Sequence, residues 1–317
     1  MNIIDMHCDT MHKIFRSSKK NLYENKYSVD IKKMLQANSI AQFFALFLNM
    51  ELINKHNKNI YEYTLEFYKV FHSIIKENSK YINFAHNYND FNANRNNNKI
   101  SAFLTIEEGG FLENKIERID EFHRLGVRLI TLTWNYENCI GFPNSNSYNI
   151  MNKGLKPFGF EVVEKMNKLG IIVDVSHLSD GGFFDVVNHS TKPIVASHSN
   201  ARALRNVPRN MSDDMIRLLS LKGGVIGINF CPHFLGNSNI CKISDLVKQI
   251  KYIKNIGGIE CLALGTDFDG IEGELEIENI GEINKLLNRL KEHGLTYDEI
   301  EKICYKNVER IIRECLN

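Results

Sequence analysis

The sequence predicts an α/β fold, a single (β/α)8 barrel of the TIM type with a binuclear metal site at the C-terminal ends of its strands. Three observations predict it. Eight strand-like runs, near residues 2–7, 40–47, 101–107, 128–133, 171–176, 193–198, 224–230 and 261–266, are mostly followed by helical patterns. Several of these runs are continuously apolar, as parallel strands covered on both faces must be. Four of them end on metal-ligand residues: Asp5-Met6-His7-Cys8-Asp9-Thr10, Ile106-Glu107-Glu108-Gly109-Gly110, Asp174-Val175-Ser176-His177 and Ala196-Ser197-His198-Ser199. The C-terminal end of its strands is where a parallel barrel keeps its chemistry.

The helical patterns between the runs are amphipathic. Ile116, Ile119, Phe122 and Leu125 form a stripe that stops at Gly126. Phe158, Val162, Val163 and Met166 form another, with Pro157 at its start and Gly170 at its end. Thr296-Tyr297-Asp298-Glu299 reads as a capping box opening the helix that carries Ile300, Ile303 and Cys304. Two segments interrupt the alternation. Asn87 to Lys99, crowded with Asn, reads as an exposed loop or as mere compositional bias, and Asn135 to Lys153 reads as a long loop after the fourth strand, placed to cover a site. With no internal repeat and no linker, residues 1–317 read as one domain.

Bulk properties narrow the partners. The chain has 317 residues, 43% hydrophobic and 24% charged, enough for a full core. Lys plus Arg number 39 against 38 Asp plus Glu, so charge predicts no nucleic acid or anionic membrane as partner and points to a small substrate. The N-terminus opens on the apolar Asn2-Ile3-Ile4-Asp5, with no readable secretory signal. The longest apolar stretch, Ile40 to Ile53, is broken by Gln42, Asn49 and Glu51 and cannot span a bilayer. Seven scattered Cys, an odd number without CxxC, fit reduced thiols and a cytoplasmic location.

His7 and Asp9 lie two apart on a strand, so both side chains point the same way and can chelate one ion; Cys8 points away. Alone, such a pair is more often a buried His beside a loop Asp. His177 and His198 end consecutive strands, which sets two imidazoles side by side at the barrel mouth. Together these residues ask for two ions and a bridging carboxylate, which Glu107 or Glu108 can supply from the third strand. Alternation alone does not say which. The N/O donor set suits Zn²⁺. Asp267, ending the eighth strand, is an acid unneeded as a ligand and free to move protons, whereas Asp269 reads as serving the following turn.

In this order the motifs resemble the membrane (renal) dipeptidase family of zinc metallopeptidases, within the amidohydrolase-like barrels. The resemblance runs from Asp5 to about Ile312. It rests on Asp-x-His-x-Asp-Thr, Glu-Gly-Gly, Leu132-Thr133, the Gly154 to Gly159 segment, Asp-x-Ser-His-Leu, Ser-His-Ser-Asn-Ala, Arg209-Asn210 and Gly-Thr-Asp-Phe-Asp-Gly. It implies that His7 and Asp9 bind one zinc and His177 and His198 the other. The Glu before Gly109-Gly110 would bridge them, which favours Glu108 with Glu107 in reserve. It further implies that Asp267 passes a proton to the leaving amine and that Arg209 grips the substrate carboxylate; without the resemblance Arg209 reads equally well as a surface residue of a basic stretch.

Where better-known members carry a His after the fourth strand, this chain has Trp134, its one Trp. The indole N–H can donate one hydrogen bond, Asn135 is a second candidate donor, and the plainer reading is a Trp that packs the pocket wall. Phe234 stands where some relatives have a substrate-contacting Tyr. The resemblance implies zinc-dependent hydrolysis of dipeptides by a metal-bridging hydroxide, with tolerance of a D- or dehydro-residue at the C-terminal position, two Zn²⁺ per chain and a homodimer. The rival readings are a related amidohydrolase acting on N-acyl amino acids, lactones or cyclic amides, and a catalytically idle metal-binding homologue.

Overall fold

The computed structural model describes residues 1–316. Its strands, in chain order, are β1 (Ile3–Cys8), β2 (Ser39–Phe47), β3 (Ile82–Phe84), β4 (Ile100–Glu107), β5 (Val127–Thr131), β6 (Ile172–Asp174), β7 (Val195–Ser199), β8 (Val225–Ile228), β9 (Ile240–Cys241), β10 (Leu262–Leu264) and β11 (Glu274–Leu275). Eight of them follow the order β2-β1-β10-β8-β7-β6-β5-β4, and β2 pairs with β4 from Ala41↔Ser101 to Phe47↔Glu107, which closes the barrel. Every pairing is parallel, with helices as the crossovers. The predicted (β/α)8 architecture is therefore the observed one.

Three short strands lie outside the eight. β9 and β11 pair only with each other. β3 pairs with the start of β4, Ile82↔Ile100 to Phe84↔Ala102, on the edge that β5 occupies only from Leu104 onward. It is too short to announce itself as an apolar run.

The barrel interior is a packed cluster separate from the larger one beneath the helices. Phe43 and Phe103 stack at 4.6 Å, and Leu129, Ile172, Val195, Val225 and Ala263 complete the layers. Val308, Ile311 and Ile312 of the helix Asn307–Cys315 pack against the same cluster. The capping box at Thr296 forms as predicted, and Gly170 ends the helix Pro157–Leu169 at φ 74°.

The segment Asn87 to Lys99 corrects the sequence reading. Tyr88–Asn96 is a helix, capped where the Asp90 amide donates to the Asn87 side chain at 2.8 Å. Its asparagines are not mere loop composition: buried Asn94 donates to the Phe84 carbonyl (3.0 Å) and to Ser101 Oγ (3.1 Å), tying the helix to β3 and β4. The stretch Asn135 to Lys153 is loop, apart from the single turn Tyr148–Met151, and it is anchored where Asn144 donates through its backbone N and its Nδ2 to the His177 carbonyl (2.7 and 2.9 Å).

Candidate metal centre

Elements far apart in the chain deliver six side chains to one point above the packed interior. β1 brings His7, and Asp9 follows it at the N-cap of the helix Thr10–Arg16 without making a capping bond. The segment after β10 is zipped to this turn, Asp267 N donating to the His7 carbonyl (3.1 Å) and Asp9 N to the Phe268 carbonyl (2.8 Å), which sets Asp267 beside both residues. Gly270 completes the fit: a Cβ there would lie 2.0 Å from Asp9 Oδ2. β4 ends on Glu107, His177 follows β6, and His198 sits near the end of β7.

Glu107 stands between two groups. Its Oε2 lies 3.4 Å from His7 Nε2, and its Oε1 lies 3.1 Å from His177 Nε2 and 3.4 Å from His198 Nε2. On the first side, His7 Nε2 is 3.8 Å from both Asp9 Oδ1 and Asp267 Oδ1. On the second, the two Nε2 atoms of His177 and His198 face each other at 3.1 Å. The rings of His7 and His198 stack at 3.8 Å, so both groups form one compact cluster.

This geometry reverses the preference between the two glutamates. Glu108 points elsewhere: its carboxylate accepts from Gly110 N (2.6 Å), Trp134 N (2.9 Å) and Asn138 Nδ2, pinning together the loops that follow β4 and β5. The physical reason is the backbone at Glu108, whose φ of 103° ends the strand alternation abruptly. His177 (φ 66°) and Asp267 (φ 59°) lie in the left-handed region, so two of the converging side chains are presented from strained backbone.

The electrostatics of the two sides differ. Burial lowers His177 to about 4 and His198 well below its ordinary value, with Arg209 pushing the same way, so both are neutral imidazoles near pH 7. Burial also raises Asp9, to about 6, and Asp267, to about 7, each reinforced by the neighbouring carboxylates. Burial opposes charge on His7 and Glu107 too, yet their mutual attraction wins, lifting His7 well above and Glu107 well below the usual ranges.

These donors fit divalent ions. His7 Nδ1 and Nε2 and Asp9 Oδ1 are buried without a hydrogen-bond partner, an expensive arrangement for a protein with nothing to place there. His177 Nδ1 faces Asn135 Oδ1 at 3.0 Å and His198 Nδ1 faces Ser197 Oγ at 2.7 Å. With protons on those nitrogens, both Nε2 lone pairs and a Glu107 oxygen converge with no hydrogen between them, which a cation would relieve. Three overlapping groups meet the spacing for ligation: His7 with Asp9 and Glu107; Glu107 with His177 and His198; and His7 with His198 and Asp267.

Around the cluster, buried Arg209 donates to Ser199 Oγ and the His198 carbonyl, both at 2.8 Å, while its Nε has no partner. Its guanidinium carbon sits 5.7 Å from the centre of the half-buried Phe234 ring. Trp134 packs edge-on against Phe47 at 4.8 Å, with its ring 6.5 Å from that of His177. Asn135 is exposed and turned to His177.

Sequence reasoning missed Asn229, fully buried just after β8, whose Nδ2 donates to Asp267 Oδ2 at 2.8 Å. The signal was an Asn closing an otherwise apolar strand. It also missed the role of Asp269, which accepts from Thr10 Oγ1 and from Ser28 N (3.1 Å) and so joins distant segments instead of shaping its own turn.

Comparison with known proteins agrees with the geometry. The family model of "Membrane dipeptidase (Peptidase family M19)" matches residues 1–317. A protein of Klebsiella pneumoniae, described as an uncharacterized protein in the pqqA 5' region, is 33% identical over 226 residues, covering 68% of this chain and 82% of its own. An uncharacterized dipeptidase of Schizosaccharomyces pombe is 30% identical over 294 residues, 89% of this chain and 71% of that one. Among solved structures, a metallo peptidase from Rhodobacter sphaeroides liganded with a phosphinate mimic of the dipeptide L-Ala-D-Ala superposes with a TM-score of 0.90, at 19% identity and 99% coverage of both chains, a likeness of fold. The chain belongs to the membrane dipeptidase family, peptidase family M19, and is a metallo-dipeptidase on a TIM-type barrel.

Proposed function

We propose that the chain, as one barrel domain over residues 1–317, cleaves dipeptides at a centre of two Zn²⁺ ions. His7 and Asp9 would hold one ion, His177 and His198 the other, with Glu107 between them. The observation that carries this reading is the Glu107 carboxylate, one oxygen toward His7 and the other toward the paired imidazoles. When bound, such ions supply Lewis-acid polarisation of the scissile carbonyl and an activated water.

The remaining work falls to side chains. Arg209 is proposed to take the substrate's C-terminal carboxylate; its unpartnered buried Nε supports this, since a buried guanidinium N–H without an acceptor is costly. Two of its nitrogens are already engaged, which fixes the guanidinium and limits the substrate to a short peptide. Asn229 holds Asp267 through Oδ2, leaving Oδ1 as the edge turned toward His7. An acid at about 7 can carry a proton there at neutral pH and hand it to the departing amine. Trp134 and Phe234 would form walls of the substrate pocket. Asn135 is proposed to act chiefly on His177; its amide nitrogen remains a candidate donor to substrate.

A D-residue at the C-terminal position is proposed on the strength of the L-Ala-D-Ala mimic held by the Rhodobacter protein. Seven free thiols support a reducing, cytoplasmic setting, no helix among the described residues is long and apolar enough to cross a membrane, and a homodimer is retained as a family-level proposal. The test is hydrolysis of a dipeptide panel, including Gly-D-Ala and N-acyl analogues, by zinc-loaded protein and its His177→Ala variant. Release of free amino acids from free-amine dipeptides, lost in the variant, is expected. Cleavage of only the N-acyl substrates, or two bound ions without any turnover, would overturn the substrate assignment.

A further inference from the structure

Beneath the paired imidazoles lies a buried carboxylate that the catalytic reading does not use. Asp174, at the end of β6, is fully buried, and its carboxylate hydrogen-bonds to neither His177 nor His198. Its Oδ1 accepts from the backbone amides of Ser176 (3.0 Å) and Ser197 (2.9 Å). Its Oδ2 accepts from Thr131 Oγ1 (2.7 Å) and from Ser197 Oγ (2.6 Å). A carboxylate has no proton to give, so the single Ser197 hydroxyl hydrogen is committed to Asp174. Ser197 Oγ can then only accept from its other close neighbour, His198 Nδ1, at 2.7 Å.

We propose that Asp174 and Ser197 are positioning residues for the metal centre: they form a one-way hydrogen-bond relay that fixes His198 as its Nδ1–H tautomer and so presents the Nε2 lone pair. The direction of donation is set at the carboxylate and transmitted through the hydroxyl to the imidazole. The Nδ1 side of the buried His198 ring meets Ser197 Oγ, while its Nε2 is turned to Glu107 Oε1 and His177 Nε2. His177, by contrast, leans on an exposed amide, Asn135 Oδ1.

The fold is shaped to keep the relay in place. A Cβ at Gly227 of β8 or at Gly265 after β10 would lie 1.9 Å from the Ser197 carbonyl oxygen, so neighbouring strands are stripped of side chains there. The Ser176 hydroxyl accepts from the His198 amide at 3.2 Å and lies 3.3 Å from Ser197 Oγ, bracing the residue from the other side. β7 changes register between Ala196 and Ser199, the irregularity that lets successive residues Ser197 and His198 both serve this centre.

The inference rests on His198 being a metal ligand, and its test separates the two ideas. Ser197→Ala removes the relay and nothing charged. Asp174→Asn keeps the shape and the Oδ1 contacts but offers an N–H to Ser197, reversing the direction. Both variants and the native chain are titrated with Zn²⁺ against a chelator, and ¹⁵N spectra of the imidazoles are recorded on chelator-treated protein to read the His198 tautomer without any metal. Ser197→Ala should hold one of two ions about 10–100-fold more weakly, the usual effect of losing a partner that orients a ligand. The Nδ1–H signature of His198 should be lost, with far-UV circular dichroism unchanged. Native tautomer and native affinity for both ions in Ser197→Ala would overturn the relay while leaving the metal centre standing. A native chain that binds no divalent ion would overturn the centre, and the relay with it. Should Asp174→Asn fail to fold, Ser197→Ala alone decides.

Discussion

The two flanks of Glu107 are built on different principles. On one flank stand His7, Asp9 and Asp267, an acid-rich group whose key atoms find no protein partner and whose carboxylates are held near neutrality in their proton affinity. On the other stand His177 and His198, neutral imidazoles each with a defined neighbour at Nδ1. The contrast divides the labour. In the proposed centre the imidazole flank would be a preset ligand pair, its two rings neutral across ordinary pH. The acidic flank can exchange protons, and it is the side on which a leaving group can be served. Glu107 belongs to both, and its neighbour Glu108 to neither.

The sharpest way to break this picture is to exchange the fates of the two glutamates. Glu107→Gln removes the charge shared by both flanks. Turnover should fall by more than about 10³-fold, since a single charge-stabilising group at a reacting centre is already worth about 10²–10³. Metal analysis should find fewer than the native number of ions. Glu108→Gln should keep ion content and lose less than about tenfold in kcat, its cost appearing as a lower melting temperature because the amide cannot accept from all three donors. The opposite ranking would return the bridging role to Glu108.

Next in size is Asp267→Asn, which asks whether the acidic flank handles protons as well as charge. Loss of a general acid should lower kcat by about 10²–10⁴ with ion content unchanged. Asn229, which donates to Asp267 Oδ2, gives a companion: Asn229→Ala should lower kcat less and alter the alkaline limb of the pH profile, where the acid loses its proton. If Asp267→Asn instead loses an ion, Asp267 is a ligand, an arrangement its spacing to His7 and His198 permits.

How far these roles could be read from the sequence follows local backbone. The barrel was legible because parallel strands buried on both faces leave uninterrupted apolar runs, and His177 and His198 were legible because each closes such a run. The choice between Glu107 and Glu108 was not, since it depends on the turn at Glu108, where φ is 103°. β1 likewise shifts register between Asp5 and Cys8, so alternation counted along residues does not report direction at the strand end. Asn94 and Asn229 escaped because their partners lie on other elements: a helix rich in Asn has little intrinsic propensity, and only contacts to Phe84 and Ser101 show why it forms.

A smaller effect distinguishes the flanks by pH in chelator-treated protein. His177 and His198 have folded pKa values below their unfolded ones, so their contribution to stability grows with pH and is complete above about 6.5. Asp267 and His7 are raised, so their contribution is full at lower pH and is lost as pH climbs through about 7 for Asp267 and higher for His7. Between pH 6.5 and 8 only the acidic flank is still titrating. The melting temperature should therefore fall by a few degrees over that window, about 1–2 kcal/mol, and Zn²⁺ should abolish the fall. A flat or rising melting temperature over the same window without metal would show that the acidic flank holds no extra proton in the folded state.

The smallest expected effect concerns Trp134, beside the imidazole flank. The structure gives its ring a packing partner, Phe47, edge-on at 4.8 Å, and commits its backbone N–H to Glu108, which makes the residue a strut between two loops. Trp134→Phe preserves that wall and deletes only the indole N–H, so kcat should stay within about threefold of native, far from the 10²–10³ that loss of an oxyanion donor brings. Trp134→Ala should raise KM more than it lowers kcat, because a lost wall weakens ground state and transition state alike. A drop of about 10² in the Phe variant would show instead that the indole N–H donates to the reacting substrate, and that this side of the centre is chemically active as well as preset.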